Sequence, residues 1–322
     1  MNITKIQNLQ DSEELRIRWL VSNTCNFKCQ YCTTHDGDWK VKQPLWLIVQ
    51  NFRHLINFYK EKAGKKKFII ELSGGEPTLW KVLDEFMLKM ASDDVKIQLV
   101  SNGSRTLRWW KQHAYLMDKV NFSFHHVDGN IENFIKVVDE VDRQGIPCNV
   151  NLMMDPKHWD KCIYALEYMK KHRKRKWIIL AKPLFSIDGY DVEYTVEQKK
   201  FLQNPWKSWP SIRWLFKNIK FRGSKESIVW FGNKKRKVYP TFFTTNRIDN
   251  FQGWQCDLEF ENLYIHWDGK IMGSCGQQLF NNRANIFDAE FTEKFNPVLK
   301  SVTCSRSCCN CLPEQNVSKR LS

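Results

Sequence analysis

The feature that most limits the fold of this chain is the alternation of short apolar runs with amphipathic segments. Six runs have the length and composition of strands, at 15–21, 67–72, 96–100, 120–124, 146–153 and 177–181. The segments between them carry apolar residues at helical spacing, at 44–62, 82–90, 105–117, 131–144 and 159–172. Alternating strands and helices of this length form βαβ units and a parallel sheet. The pattern therefore predicts an α/β protein with a partial (β/α)6 barrel of parallel strands.

The remaining segments predict a smaller second part of the chain. With 322 residues there is room for one large domain and an appendage. We expect an N-terminal extension (1–14), the barrel (15–185), a basic, Trp-rich connecting region (186–255) and a C-terminal domain (256–322). Two β-hairpins are predicted outside the barrel, one at 228–239 around Gly232-Asn233 and one at 263–272 around Asp268-Gly269, where the dipeptide favours a type I′ turn.

Cysteine usage and hydropathy indicate a cytosolic protein with metal-binding thiols. No run of about 18 apolar residues is present and the N-terminus has no apolar signal core, so we expect no membrane segment. The chain has 11 cysteines, an odd number, and cytosolic thiols are kept reduced. Three cysteines lie near the N-terminus and six after residue 255. The other two, Cys148 and Cys162, are interpreted as small buried apolar side chains.

The charge of the chain favours an anionic partner without identifying it. The formal net charge is +15, with basic runs at 65–67, 170–176 and 234–237. Such runs suit nucleic acid, an acidic peptide or a phosphorylated small molecule. Solvated helix ends and hairpin tips are the alternative explanation. The many tryptophans are more typical of core or interface positions than of base-stacking platforms.

A cysteine motif follows the first predicted strand directly. Cys25, Cys29 and Cys32 have the spacing C-x3-C-x2-C. Three thiolates on a short loop can hold three irons of a cubane cluster and leave the fourth iron open. A structural zinc site would need a fourth ligand, for which His35 is the nearest candidate.

This motif, in this position, resembles that of the radical S-adenosylmethionine superfamily, and further motifs follow in the expected order at strand ends over 15–181. The resemblance implies a [4Fe–4S] cluster on the three cysteines and a set of S-adenosylmethionine-binding positions. Those positions are Tyr31 near the adenine, Gly74, Gly75 and Glu76 near the methionine part, Ser101 and Asn102 near ribose and carboxylate, and Ser123 near the end of the fourth strand. Asn151, on the fifth strand, is a further cofactor-binding candidate if its face of the strand lines the barrel interior.

The resemblance also implies a mechanism. An electron donor such as flavodoxin or ferredoxin reduces the cluster. The reduced cluster then transfers one electron to the sulfonium of S-adenosylmethionine. The C–S bond breaks, and the 5′-deoxyadenosyl radical abstracts a hydrogen atom from the substrate. The protein positions the reactants and excludes water.

The later cysteines resemble the auxiliary-cluster domains called SPASM and, in shorter form, twitch. The segment LYIHWDGKIMGSC is similar to their hairpin. The resemblance implies one auxiliary [4Fe–4S] cluster, with expected ligands Cys256, Cys275, Cys308 and Cys311. Either Cys304 or Cys309 could replace one ligand or serve redox chemistry. A zinc ribbon with four thiolates is the alternative.

Other residues near the strand ends are weaker candidates. His125 and His126 follow the fourth strand and either face the substrate or serve in packing. On the fifth strand Asn149, Asn151 and Met153 share one face. Asp36 and Asp38, in the loop after the cysteines, could orient substrate or be solvated.

Three substrate classes remain open from the sequence. The first is a peptide or protein residue that is cross-linked, epimerised or oxidised, with Cys304 or Cys309 as a hydrogen-atom donor in an epimerase. Because the first strand begins near residue 15, we expect no N-terminal leader-binding domain, which counts against this class. The second is a small anionic metabolite such as a sugar or nucleotide, and the third is nucleic acid. A non-enzymatic iron–sulfur protein is the remaining alternative.

Overall fold

The computed structural model describes residues 3–9, 12–32, 41–175, 177–184, 191–203, 227–238, 243, 248, 250–273, 276–307, 309 and 317–321. The strands in these ranges are β1 (Lys5–Asn8), β2 (Glu14–Ser22), β3 (Lys67–Gly74), β4 (Val95–Ser101), β5 (Lys119–Phe124), β6 (Cys148–Met154), β7 (Ile178–Pro183), β8 (Ser227–Phe231), β9 (Lys234–Val238), β10 (Gln255–Cys256), β11 (Asn262–Ile265), β12 (Ile271–Met272), β13 (Val302–Thr303) and β14 (Lys319–Arg320). The helices are α1 (Leu45–Ala63), α2 (Leu83–Met90), α3 (Leu107–His113), α4 (Ile131–Arg143), α5 (Trp159–His172), α6 (Val196–Gln203), α7 (Leu258–Glu261) and α8 (Phe291–Lys294). None of the helices in this described part of the chain is long and apolar enough to cross a membrane.

The larger sheet confirms the predicted parallel architecture. Its strand order is β12-β11-β2-β3-β4-β5-β6-β7, and β2 to β7 are parallel neighbours in sequence order. The β11–β12 hairpin extends this sheet, because β11 pairs in parallel with β2, Leu263 lying opposite Ile17. The predicted helix over 105–117 is shorter, since α3 ends at His113 and a 3₁₀ turn, Ala114–Leu116, follows. The fold is an α/β partial barrel whose first strand carries an added hairpin.

The two faces of the sheet differ in character, and this difference places the site. The outer face packs on the helices. Trp19 is fully buried there, with its ring centroid 5.2 Å from that of Phe52 and 5.3 Å from that of Phe86. The inner face is half-buried and largely polar, as the alternation along β5 and β6 shows. Ser123 and Asn151 lie opposite each other there, near the carboxyl ends of their strands.

A second sheet is built from distant parts of the chain. Its order is β13-β10-β14-β1-β8-β9, and its described pairs are antiparallel. It has its own apolar core, which includes Ile6, Val229, Phe251 and Trp254. The β8–β9 hairpin confirms the predicted turn at Gly232-Asn233. Three of the four predicted chain segments supply strands to this sheet, and their division into domains stays a prediction.

The turn between β11 and β12 differs from the predicted type. A type I′ turn needs positive φ at both central residues, but only Gly269 of the pair has it, at 87°. The Gly269 N–H donates to the His266 carbonyl at 2.9 Å, and Asp268 accepts from the Lys270 N–H at 3.1 Å. The Asp268 side chain therefore holds the chain in a wider turn, and the type I′ prediction is wrong.

Candidate active site

The loop after β2 carries the first three cysteines in an apolar setting. Cys29 is 3 % exposed and packs with Phe27, Tyr31 and Leu184, while Cys25 and Cys32 lie at the edge of this cluster. The Cys32 N–H donates to the Cys29 carbonyl at 3.0 Å, which folds the loop into a tight turn. Burial raises the pKa of the Cys29 thiol to about 12. A thiolate at this position therefore needs a compensating positive charge, which a metal would supply.

The glycine motif after β3 lies directly against this loop. The Gly75 N–H donates to the Ser22 carbonyl at 2.7 Å, and the Glu76 N–H donates to the Thr24 carbonyl at 2.9 Å. A Cβ on Gly75 would lie 2.0 Å from the Thr24 oxygen, and one on Gly74, where φ is 117°, would lie 2.3 Å from the Ser22 oxygen. Both glycines are thus required by backbone contact within the chain itself.

Glu76 joins the loops that follow β3 and β4. Its buried carboxylate accepts hydrogen bonds from the Thr78 N–H (3.1 Å) and hydroxyl (2.6 Å), the Ser101 hydroxyl (2.9 Å) and the Asn102 N–H (2.7 Å). Burial raises the pKa of Glu76, and these donors act in the opposite direction. Both carboxylate oxygens are therefore used to position the two loops.

Asn102 connects these loops to the cysteines. Its side-chain amide donates to the Asn26 side-chain oxygen at 3.0 Å and lies 3.8 Å from the Cys25 sulfur. A chain of hydrogen bonds thus runs from Glu76 through Asn102 to the cysteine loop. The structure brings the three predicted sequence motifs together at the carboxyl edge of the sheet, the edge that binds ligands in parallel α/β folds.

The two histidines after β5 lie against Tyr31. The Tyr31 hydroxyl is 3.2 Å from Nδ1 of His125, and their rings stack with centroids 5.9 Å apart. Burial lowers the pKa of His125 to about 4, so this imidazole is neutral near pH 7. His126 lies beside it, with its ring centroid 6.2 Å from that of Tyr31 and its side chain only 3 % exposed.

Sequence reasoning missed two residues at this edge, Asp155 and His158. The Asp155 carboxylate lies 3.6 Å from His126 and 3.0 Å from His158. The available signal was position, because Asp155 comes directly after β6 and so lies at the same edge as the histidines. Asp36, Asp38 and His35 lie outside the described residues.

Three of the later cysteines line one cavity beside the second sheet. Cys256, Cys304 and Cys309 line it together with Phe251, Leu258, Gln277 and Lys319. The pairing of β10 with β13 and β14 places Cys256 opposite Val302 and Lys319. Cys275, Cys308 and Cys311 lie outside the described residues. The cavity therefore contains one expected ligand and both of the cysteines considered as replacements.

The basic runs are partly used within the fold. The ammonium of Lys65 donates to the Ser12 carbonyl at 2.7 Å, and Arg175 pairs with Asp142. The 234–237 run is different, since all four side chains are exposed on β9 at the end of the second sheet. Lysines on an edge strand discourage pairing with other chains, so this run has a structural explanation.

The inner face of the barrel carries an excess of cations near the amino ends of its strands. Arg18 Nε lies 2.6 Å from Glu71, and Arg16 lies 3.9 Å from Glu71 and 3.5 Å from Glu14. Burial raises the pKa of Glu71, but Arg18 and Arg16 outweigh it and lower that pKa below its usual value. Burial lowers the pKa of Lys119, the third cation near these carboxylates.

Comparison with known families agrees with this site. The model of the radical SAM superfamily matches residues 19–179, which is half of the chain, so the chain belongs to that superfamily and is an enzyme. The family implies a [4Fe–4S] cluster and S-adenosylmethionine as cofactors.

Curated relatives match over less than half of the chain. The chain is 27% identical over 150 residues to an S-adenosylmethionine-dependent nucleotide dehydratase of Thermoplasmatales archaeon (strain ISO4-H5), covering 42% of this chain and 51% of the relative. It is 30% identical over 138 residues to a GTP 3′,8-cyclase of Haemophilus influenzae (strain 86-028NP), covering 39% and 40%. The matched regions thus span about half or less of these relatives.

Solved structures share the fold over most of the chain. The crystal structure of Streptococcus suis SuiB bound to S-adenosylmethionine matches with a TM-score of 0.54 at 13% identity, covering 89% of this chain and 66% of that one. Native anSMEcpe with bound AdoMet and Cp18Cys peptide matches with a TM-score of 0.52 at 16% identity, covering 88% and 81%. At these identities the likeness concerns the fold.

Proposed function

We propose that Cys25, Cys29 and Cys32 hold the [4Fe–4S] cluster and that S-adenosylmethionine binds beside it. The positions that would face the cofactor are Tyr31, Gly74, Gly75, Ser101, Asn102, Ser123 and Asn151, with Glu76 holding the loops in place. When bound, the cluster supplies one-electron cleavage of S-adenosylmethionine to a radical that abstracts hydrogen. The observation that carries the proposal is the hydrogen-bonded path from Glu76 through Asn102 to the cysteine loop.

The side chains around the cysteines suit this chemistry. Phe27, Tyr31, Leu184 and Met153 form an apolar wall on the thiols, which excludes water from a reactive intermediate. Asn102 directs an N–H toward the Cys25 sulfur, and such hydrogen bonds tune cluster potentials. An external one-electron donor such as flavodoxin or ferredoxin would reduce the site.

The test is formation of 5′-deoxyadenosine after anaerobic reconstitution, reduction and addition of S-adenosylmethionine. Replacing Cys25, Cys29 and Cys32 with Ala is expected to abolish the product and remove about four irons per chain. The matched control is Cys148→Ala, a buried thiol on β6 that should leave both unchanged. Product formed by the triple variant would overturn the assignment.

We further propose an auxiliary [4Fe–4S] cluster in the C-terminal cavity. The convergence of Cys256, Cys304 and Cys309 supports thiolate ligation there, and Cys275, Cys308 and Cys311 stay candidates. The buried Lys319 at the cavity wall would offset part of the thiolate charge. Full reconstitution is then expected to give about eight irons per chain, and Cys256→Ala about four. Four irons and one zinc with sulfur neighbours at about 2.3 Å in the unmodified protein would indicate a zinc ribbon instead.

The substrate we propose is a peptide or a protein side chain. The likeness to SuiB and anSMEcpe, whose structures include complexes with peptides, covers 88–89% of this chain. Nucleotides are the second candidate, favoured by the names of the curated relatives.

A single assay separates the two substrate classes. The reduced protein with S-adenosylmethionine is incubated either with each nucleoside triphosphate or with peptides encoded beside the gene. A peptide substrate is expected to raise 5′-deoxyadenosine formation and to change in mass, whereas the triphosphates leave the rate unaltered. A nucleotide that accelerates product formation and is itself converted would refute the peptide proposal.

A further inference from the structure

A cluster of two histidines and one aspartate lies beside the cysteine loop and has no part in the function proposed above. His126 follows the end of β5 by two residues, and Asp155 follows β6 directly. His158 ends the 3₁₀ turn Pro156–His158. One ligand-capable atom from each of the three lies within 4.8 Å of the others. Two successive strand ends thus deliver two nitrogens and one oxygen to a single point.

His126 is buried in a way that leaves its ring nitrogens in need of a partner. Its side chain is 3 % exposed, yet neither ring nitrogen has a hydrogen-bond partner among the described residues. Burying an unpaired polar group costs about 1–3 kcal/mol, and buried polar atoms are paired in the great majority of cases. Asp155, 1 % exposed, adds a buried negative charge at the same place. A bound cation would pair with both groups.

The distances agree with a transition-metal site. Ligand atoms at the tetrahedral corners around zinc, about 2.0–2.1 Å from the ion, are about 3.3 Å apart. The Asp155 oxygen lies 3.0 Å from Nδ1 of His158 and 3.6 Å from Nε2 of His126, values on either side of that spacing. Two imidazoles and one carboxylate are ligands that Zn²⁺ binds.

The surroundings supply orientation and access. The Lys157 N–H donates to the second carboxylate oxygen of Asp155 at 3.0 Å, and a hydrogen bond of this kind fixes a ligating carboxylate. His158 is 42 % exposed, which opens the cluster to solvent on one side. The His126 and His158 ring centroids lie 4.8 Å apart with an interplanar angle of 37°, so the two imidazoles are neighbours beside the Asp155 carboxylate.

We propose that His126, Asp155 and His158 bind one Zn²⁺ ion. This ion ties the loops after β5 and β6 together. It lies close to the cysteine loop, because the ring of Tyr31 is 6.2 Å from that of His126. The site is separate from both cysteine groups and uses nitrogen and oxygen ligands alone.

The test measures zinc bound to cluster-loaded protein kept under anaerobic conditions. Zn²⁺ is added, excess is removed by desalting, and affinity is read by competition with a chromophoric chelator. The protein is compared with His158→Gln, which removes an exposed ligand, and with Asp155→Asn, which keeps an acceptor for the Lys157 N–H. The matched control is His172→Gln, an exposed histidine at the end of α5.

The unmodified protein and the His172 variant are expected to retain one zinc more per chain than the other two variants, with binding at least about tenfold tighter. X-ray absorption at the zinc edge is expected to show nitrogen and oxygen neighbours near 2.0 Å. Equal zinc in all four proteins, or a shell of sulfur near 2.3 Å, would overturn the proposal. Iron content and visible absorbance verify that the variants are folded and loaded alike.

Discussion

Replacing Glu76 with Gln gives the sharpest test of how the site is held together. The carboxylate accepts four hydrogen bonds from donors on Thr78, Ser101 and Asn102. Glutamine has the same shape, but one of its two terminal atoms is a donor. If the glutamine oxygen takes the position of Oε1, it keeps the three hydrogen bonds accepted there. Its amide N–H groups then point at the Asn102 N–H. In the opposite orientation the amide can donate to the Thr78 and Ser101 hydroxyls, but it faces the Thr78 backbone N–H.

The magnitude follows from this count. Each buried donor left without an acceptor costs about 1–3 kcal/mol. In either orientation one buried backbone N–H, that of Asn102 or that of Thr78, loses its acceptor and faces the new amide. We therefore expect Glu76→Gln to lower the free energy of unfolding by about 1–3 kcal/mol. Glu85→Gln, an exposed carboxylate on α2, serves as the control and should change it by less than about 0.5 kcal/mol.

Urea unfolding followed by tryptophan fluorescence, at equal cluster content and without S-adenosylmethionine, measures the difference. If Glu76 acted only by touching the cofactor, the variant would unfold at the same urea concentration and lose only affinity for S-adenosylmethionine. A free energy of unfolding within about 0.5 kcal/mol of the unmodified protein would therefore refute the positioning role.

Two further substitutions test the packing of the same sheet. Gly75→Ala would place a Cβ 2.0 Å from the Thr24 carbonyl oxygen and should lower the free energy of unfolding in urea by about 3 kcal/mol. The control Gly64→Ala meets open space and only left-handed backbone strain, so it should lower it by about 1 kcal/mol. Equal losses would contradict the steric reasoning. Glu71→Gln leaves Arg16 and Arg18 without their buried partner and should cost about 2 kcal/mol near neutral pH, less than a fully buried pair because Arg18 is 24 % exposed. Because the pKa of Glu71 is lowered on folding, its stabilisation is present above pH 4.5 and lost as the pH falls through the folded pKa. The difference between the two proteins should therefore shrink below pH 4.5, and a constant difference would argue against the charge interaction.

The barrel could be predicted from the sequence because its signals are local. Strands buried on one face and helices with apolar stripes each repeat over a few residues, as in 119–124 and 131–143. The cysteine and glycine motifs were found for the same reason, since each is a short run at the end of one strand. Parallel topology then brought them to one edge without further information.

The second sheet and the histidine–aspartate cluster could not be predicted in this way. The pairing of β1 with β8 and β14 joins residues more than 200 positions apart, and β14 is only two residues long. No local periodicity marks such contacts. His126, Asp155 and His158 likewise come from two different strand ends, and a lone histidine or aspartate in a loop carries little information until the fold is known.

The structure also changes how the glycine motif is interpreted. Gly74 and Gly75 meet the backbone of the β2 loop, and Glu76 binds the β4 loop, so all three hold the chain to itself. A cofactor placed at this edge would contact surfaces that these residues shape. Loss of activity on mutating the motif therefore has two possible causes, a collapsed edge or a missing contact. Only a stability measurement made without the cofactor separates them, and for Glu76 the four hydrogen bonds favour the first.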